Sequence, residues 1–487
     1  MQYTGTRNDF RVNSRQAVLD GLTPDGGLYM PLGFPQVDVS RLLSLSFEET
    51  ARVVFDCFLD DFEQIPELVH TAYAGKFDCE EIAPLKKVGD RYVLELFHGP
   101  TCAFKDVALS ALPVLMRAAL QSSGAKEDLL ILTATSGDTG KAAMEGFKDV
   151  PGTRILVFYP YGGVSPVQER QMTTQAGQNV RAAAIRGNFD DAQTAVKEIF
   201  VRAGQNGLPA DCPVRLSSAN SINIGRLVPQ IVYYFTAYAQ LVNSGEIKCG
   251  DPVNFAVPTG NFGDILAGYF AKKMGLPVGK LLCASNANDV LTDFIHTGLY
   301  NRKRPFFLTT SPSMDILVSS NLERLLYLLS DRDTAAVTGM MQSLKEDGVY
   351  QVDAAFLTRL QQDFAAARVD DAAAADAIRS VWDRHRYLMD PHTAVAWSAA
   401  DVLDPESPTV ILSTASPFKF PETVLKAVGA YRPADPFTLL DQLSSFSGLP
   451  VPAGLKGLKD RPVRFRDVIE KDGLYDYVLD SVRSERV

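Results

Sequence analysis

Lys105 sits near the end of the segment His98-Gly-Pro-Thr-Cys-Ala-Phe-Lys-Asp106, which follows the apolar run Tyr92 to Phe97 and leads into a helical stretch. An amine at such a strand-to-helix corner, set among apolar neighbours, loses solvation of its charged form. Its pKa falls, and it becomes suited to attack an aldehyde and later to carry protons. The segment reads equally as a surface lysine at a helix start, and Asp106 as a first-turn acid favoured by the helix dipole. Four more loops carry anion-binding chemistry. Thr133-Ala-Thr-Ser-Gly-Asp-Thr-Gly140 offers hydroxyls and free N–H groups ahead of a helix, a fit for a carboxylate or simply a capped turn. In Pro258-Thr-Gly-Asn-Phe-Gly-Asp264, Gly260 and Gly263 allow backbone N–H groups to converge on a phosphate, although the loop is neither a Walker loop nor GxGxxG. Ser217-Ser-Ala-Asn-Ser-Ile-Asn-Ile-Gly-Arg226 ends in a guanidinium whose planar fork suits phosphate, or else caps the helix that follows. Finally, Ser413 or Thr414, in Leu412-Ser-Thr-Ala-Ser-Pro-Phe-Lys-Phe420, could donate to a ring nitrogen.

The elements that must hold these loops are legible from about residue 92 onward, where short apolar runs alternate with segments of helical spacing. Candidate strands are Tyr92 to Phe97, Leu129 to Ala134, Arg154 to Tyr159, Val180 to Ile185, Val253 to Val257, Leu281 to Ser285 and Thr409 to Ser413. Near-continuous apolar runs of this kind belong to parallel sheets covered by helices on both faces. Asp190 to Arg202 and Arg226 to Val242 read as such helices. Ligands in doubly wound sheets sit beyond the carboxyl ends of the strands, which is where all five loops fall. The first ~90 residues, turn-rich at Pro24 to Gly27 and helical near Phe47 to Leu59, form an added domain. From about 300 to 400 a helical insertion is expected, with Phe356, Leu360, Phe364, Ile378 and Trp382 as buried helix residues.

Composition excludes several classes. Lys and Arg total 48 against 58 Asp and Glu, a net charge of -10 that disfavours nucleic-acid and anionic membrane surfaces. No apolar run approaches a membrane span, and the start MQYTGTRNDF lacks a targeting pattern. Six scattered cysteines without CxxC pairs point to a reducing cytoplasm. His296, His385 and His392 make no metal-ligand spacing, so no metal site is expected, and Cys102 reads as a space-filling residue.

Together and in this order, the segments resemble the threonine synthase family, from Pro24-Asp-Gly-Gly-Leu28 to the Ser-Thr-Ala-Ser-Pro stretch. HGPTxxFKD is the most specific match. The resemblance implies a fold type II pyridoxal-phosphate enzyme of the tryptophan synthase β kind: two parallel-sheet α/β domains, a smaller N-terminal domain and a helical insertion. The expected division is 1–92, then 93–245 bearing the cofactor lysine, then 246–487 holding the cofactor phosphate, with segments exchanged between units. It also implies pyridoxal 5'-phosphate on Lys105, with Asp138 facing the pyridoxal hydroxyl, Gly260, Asn261, Phe262, Gly263 and Asp264 cradling the cofactor phosphate, and Thr414 at the pyridine nitrogen. Ser136 and Thr139 would bind the substrate carboxylate; Asn220, Ser221, Asn223 and Arg226 would bind its phosphate. Ser416 and Phe418 depart from the family form TAHPAKF.

The implied reaction converts O-phospho-L-homoserine and water to L-threonine and phosphate, by loss of phosphate from the γ-carbon and addition of water at the β-carbon. A related phospholyase releasing 2-oxobutyrate is the near alternative. A serine or threonine dehydratase and a non-catalytic binding protein are more distant ones. Nothing in the sequence chooses between a monomer and a homodimer.

Overall fold

The computed structural model describes residues 1–124, 127–187, 189–209, 212–404 and 406–484. At the amino end β1 (Gln2–Gly5) pairs antiparallel with β2 (Val12–Asn13) and β3 (Tyr29–Pro31). The helix Phe47–Phe58 follows, started by a reciprocal capping box between Ser46 and Glu49. The turn at residues 23–27 is closed by Gly26 N–H on the Thr23 carbonyl and Gly27 N–H on Asp25.

Next come β4 (Leu85–Val88), β5 (Arg91–Glu95), β6 (Asp128–Ala134), β7 (Thr153–Pro160), β8 (Val180–Arg186) and β9 (Val214–Ser217). The second half supplies β10 (Val253–Pro258), β11 (Val278–Ser285), the pair β12 (Leu299–Asn301) and β13 (Val349–Gln351), then β14 (Phe364–Arg368), β15 (Thr409–Ser413) and β16 (Val468–Glu470). One sheet has the order β14-β11-β10-β15-β5-β4, parallel except for β4, and the other is β16-β8-β7-β6-β9, parallel throughout. Chain is exchanged between them: β5 joins strands of the carboxy-terminal half, and β16 joins the central ones. The inner strands β6, beyond its half-buried first residue Asp128, and β10 are buried along their length and mostly apolar, which both-face helix cover requires.

The insertion differs from expectation at one point. Phe364–Arg368 is a strand, β14, paired in parallel with Leu281–Ser285, and not helix. A run of phenylalanine and alanines has no period that separates helix from strand, and the exposed edge of β11 decides in favour of pairing. Ile378 and Trp382 are buried on the helix Asp371–His385, as the spacing predicts.

Strand order reverses between β10 and β15 in the larger sheet and between β6 and β9 in the smaller. The loops after these four strands, and the loop after β5 beside β15, are four of the anion-binding segments plus the lysine segment. Helix Lys105–Ser122 is held closely against helix Asp138–Phe147. Pro113 has no N–H to give the Leu109 carbonyl, and a Cβ on Gly146 would lie 2.1 Å from that oxygen. Only glycine lets these two helices, one starting at Lys105 and the other at Asp138, approach so nearly.

Candidate active site

One cavity, with roughly 690 Å³ of space including its open mouth, is lined by Lys105, Asp138, Thr139, Ser221, Arg226, Thr259 to Asp264, Ser313, His392 and Thr414 among others. Lys105 opens its helix next to Phe104, with Nζ 4.5 Å from that ring's centroid and only 11% of the side chain exposed. Burial drives its pKa down to about 8; Asp138, whose Oδ2 is 3.8 Å away, opposes the shift, while Lys419 and Arg226 add to it. An amine so placed is neutral, and so nucleophilic, in a far larger fraction near neutral pH than an ordinary lysine.

Asp138 is buried at the first turn of its helix. Burial alone would raise its pKa, but the Lys419 ammonium at 2.7 Å and Lys105 hold it far below the usual carboxylate range. Gln168 donates to it as well, at 2.8 Å. Gly137 before it has φ +138°, and a Cβ there would strike the Gln168 amide.

In the loop after β10, the Ser319 hydroxyl donates to the Gly260 carbonyl at 2.7 Å, and the Asn321 amide and backbone N–H donate to the Asn261 carbonyl at 3.0 and 3.1 Å. Across a trans peptide the N–H points opposite to its C=O, so Asn261 and Phe262 present their N–H groups away from the 319–321 segment. The N–H groups of Gly263 and Asp264 open a helix and have no partner within it. This is an anion cradle made by backbone. Phe262, on the cavity wall, holds a left-handed φ of 62°, as Cys102 does at 61° in the loop that carries the lysine, so each of these two loops contains a strained residue.

The Asp264 carboxylate does not join the cradle. It accepts from Tyr233 at 2.6 Å and Tyr234 at 3.0 Å, and burial raises its pKa to about 6 despite those bonds. A carboxylate facing a phosphate would repel it, so only the backbone of Asp264 can serve.

Arg226 is fully buried in the first turn of the apolar helix Ile224–Asn243. One Nη donates to the Ala219 carbonyl at 2.7 Å, and Nε has no partner. Burial lowers its pKa to about 10, with only Tyr233 opposing. A buried guanidinium with an unsatisfied N–H on a cavity wall is a receptor for an anion. Ser221 lines the cavity beside it, and the Asn220 Oδ1 is buried without a partner.

The sequence-derived set is thus mostly assembled, with differences. Ser136, Asn220 and Asn223 lie off the cavity wall. The Asn223 side chain caps its helix through Gly225 N–H at 2.8 Å and donates to the Val18 carbonyl at 2.9 Å, which leaves it nothing to offer a phosphate. Ser413 is turned onto Thr393 at 2.9 Å, and it is Thr414 that lines the cavity. Asp106 does more than favour a dipole: it accepts from Thr101 N–H at 2.8 Å and Oγ1 at 2.6 Å and closes the lysine loop, its pKa raised to about 6 by burial.

Three residues escaped the sequence reading. Lys419 is buried on Asp138, as described. His392 donates from Nδ1 to Asp390 at 2.6 Å and accepts Ser313 N–H on Nε2 at 3.1 Å, which fixes the segment whose Ser313 carbonyl would lie 2.8 Å from a Cβ on Gly260. Arg324, buried, donates to the Tyr29 carbonyl at 3.0 Å and the Ile222 carbonyl at 2.5 Å and also to Asn321, so it ties the N-terminal domain to both anion loops. The contacts of Lys419 with Asp138, of His392 with Ser313, and of Arg324 with Tyr29 and Ile222 span long stretches of chain. No spacing rule in the sequence links these residues to the cavity.

This fold, with a buried lysine between two anion receptors, defines a pyridoxal-phosphate-dependent enzyme, and the family model of that description matches residues 78–415. Models described as threonine synthase N terminus and threonine synthase, C-terminal match residues 2–73 and 393–475. The chain belongs to the threonine synthase family. It is 42% identical to a threonine synthase of Pseudomonas aeruginosa over 91% of this chain and 93% of the relative. It is 41% identical to human threonine synthase-like 1 over 85% of this chain, and spans 58% of that longer relative. A crystal structure of pyridoxal-phosphate-bound threonine synthase from Brucella melitensis shares 40% identity and superposes with a TM-score of 0.86, covering 99% of each chain. No helix among the described residues is long and apolar enough to cross a membrane.

Proposed function

We propose that this chain is a threonine synthase, converting O-phospho-L-homoserine and water to L-threonine and phosphate as the last step of threonine formation. The observation that carries the reading is the buried, carboxylate-free guanidinium of Arg226 in the same cavity as Lys105 and the backbone cradle at 260–264. One anion receptor serves the cofactor phosphate and the other a phosphorylated substrate, a need that a serine or threonine dehydratase does not have.

When bound, pyridoxal phosphate supplies the conjugated ring that disperses negative charge developed on the substrate's carbons. Lys105 attaches the cofactor and, once released, its neutral amine takes the α-proton and returns protons to carbon. Asn261, Phe262, Gly263 and Asp264 hold the cofactor phosphate by backbone N–H; Thr414 meets the ring nitrogen with a neutral hydroxyl, and Asp138 faces the ring hydroxyl. Arg226 and Ser221, with Asn220 adjacent, grip the substrate phosphate and stabilise its charge as the γ-carbon bond breaks. Thr139, with Ser136 behind it, receives the substrate carboxylate at the start of the helix Asp138–Phe147. In the proposed division into 1–92, 93–245 and 246–487, the second and third units supply the residues that line this cavity, and six scattered cysteines without CxxC pairs suit a cytoplasmic home.

Purified protein given pyridoxal phosphate and O-phospho-L-homoserine tests this, with phosphate, threonine and 2-oxobutyrate measured together. Threonine equal to phosphate, lost in Lys105→Ala, is the expected result. Phosphate accompanied by 2-oxobutyrate would assign the phospholyase reaction instead, and no phosphate release would refute both.

A further inference from the structure

Two lysines share one carboxylate beside the cavity. Lys419 Nζ lies 2.7 Å from Asp138 Oδ1, its side chain fully buried, and donates also to the Thr101 carbonyl at 2.9 Å. Lys105 Nζ reaches the other oxygen, Oδ2, only at 3.8 Å, beyond hydrogen-bond length. Lys419 comes from the loop after β15, Asp138 from the loop after β6, and Thr101 from the loop that carries Lys105, so this one ammonium links three loops. Backbone bonds run alongside: Phe104 N–H to the Thr414 carbonyl at 2.8 Å and Ser416 N–H to the Cys102 carbonyl at 3.0 Å.

We propose that Lys419 is a positioning residue for Lys105: it takes the negative charge of Asp138 for itself, leaves the cofactor lysine without a full counter-ion, and so favours the neutral amine of that lysine over its ammonium form. This rests on the reading of Lys105 as the cofactor lysine.

The physical case is one of competition. A buried carboxylate stabilises whichever cation sits closer and better bonded, and Lys419 has both the shorter contact and the second acceptor. Lys105 then bears its own burial, the repulsion of Lys419 and that of Arg226, against the longer contact to Asp138 and the more distant Asp264. The remaining groups within the field of Lys419 are the Cys102 thiol and Asp106; the thiol is pushed up to about 12 and the acid to about 6, both chiefly by burial. The thiol stays protonated, and the Asp106 carboxylate, though charged at neutral pH, already has its oxygens on Thr101 N–H and Oγ1, so Asp138 remains the partner of Lys419. If Lys419 loses its charge, Asp138 turns wholly to Lys105, and both the lost repulsion and the gained attraction favour the ammonium form.

The test follows the reaction of pyridoxal phosphate with the full chain stripped of cofactor, by absorbance across the neutral and alkaline range, with borohydride trapping and peptide mapping. The rate tracks the deprotonated fraction of the attacking amine. Wild type is expected to trap at Lys105 with a midpoint near 8. In Lys419→Met the midpoint should rise by about one pH unit or more, a roughly tenfold slower reaction at neutral pH, and Lys419→Arg should restore the wild-type midpoint. A purely structural role would lower thermal stability or yield and leave the midpoint where it was, and that result in a folded Lys419→Met overturns the proposal. Should Lys419→Met fail to fold, the wild-type profile decides: a midpoint in the ordinary lysine range means the neutral amine of Lys105 is not favoured and overturns the proposal. Trapping at a different lysine overturns the reading of Lys105 and this inference with it, whereas trapping at Lys105 with an unmoved midpoint overturns the inference alone.

Discussion

Replacing Arg226 by methionine should make the free protein slightly more stable and the enzyme far worse, an opposition that follows from a charge buried for a ligand. Burial holds the guanidinium pKa at about 10, and the drop of some two units from its value in water corresponds to roughly 3 kcal/mol of destabilisation at neutral pH. The sign is that of a base with a depressed folded pKa: the charged form is the disfavoured one, so the cost is present at every pH below about 10. Methionine has a similar length and no charge, and it loses the bond to the Ala219 carbonyl, worth about 1 kcal/mol. The net gain of about 2 kcal/mol should raise Tm by roughly 2 °C in a chain of this size. A phosphate losing its one buried cationic partner should cost about 3 to 5 kcal/mol in transition-state binding, roughly two to four powers of ten in kcat/KM. Calorimetry without ligand and steady-state kinetics on O-phospho-L-homoserine measure the two sides, with inhibition by inorganic phosphate expected to weaken in parallel. A Tm lower by several degrees, together with kcat/KM within tenfold of wild type, would refute the assignment and make Arg226 a structural residue.

Two further perturbations separate backbone from side chain. Asp264→Asn keeps an acceptor for Tyr233 and Tyr234 while removing a carboxyl whose pKa is raised to about 6. Because a raised acid stabilises the fold at low pH and loses that contribution as pH climbs through about 6, the variant should gain up to about 3 kcal/mol above that pH and keep its affinity for pyridoxal phosphate. Denaturant titrations at acid and alkaline pH with cofactor titration check both, and a large loss of cofactor affinity would show that the carboxylate itself binds. Gly146→Ala forces a methyl onto the Leu109 carbonyl, 2.1 Å from an ideal Cβ; overpacking of this order costs about 1 to 3 kcal/mol. It should lower Tm and kcat together by spreading the helices of Lys105 and Asp138, whereas unchanged kcat would mean the spacing of those helices does not set the site.

What was readable in the sequence and what was not divides along a physical line. Strands buried on both faces announce themselves as apolar runs, and loops at their ends carry glycines and hydroxyls in contiguous order, so Lys105, the 260–264 cradle and Arg226 could be found locally. The roles of Asn223, Asp264 and Lys419 depend on partners far along the chain: Val18, Tyr233 with Tyr234, and Asp138 respectively. A polar residue in a motif can face the ligand or brace the residue that does, and the sequence records the same letter for both. The difference lies in how its hydrogen-bonding capacity is used. Asn223 spends its amide on the backbone of its own loop and of the N-terminal domain and stands off the cavity wall, while Asp264, on the wall, turns one carboxylate oxygen onto two tyrosines. Of these three side chains, that of Arg226 is the one that keeps a buried donor, its Nε, unspent. Leaving that group unpaired costs stability in the free protein, and a ligand with charge to match it is what makes the cost physically sensible.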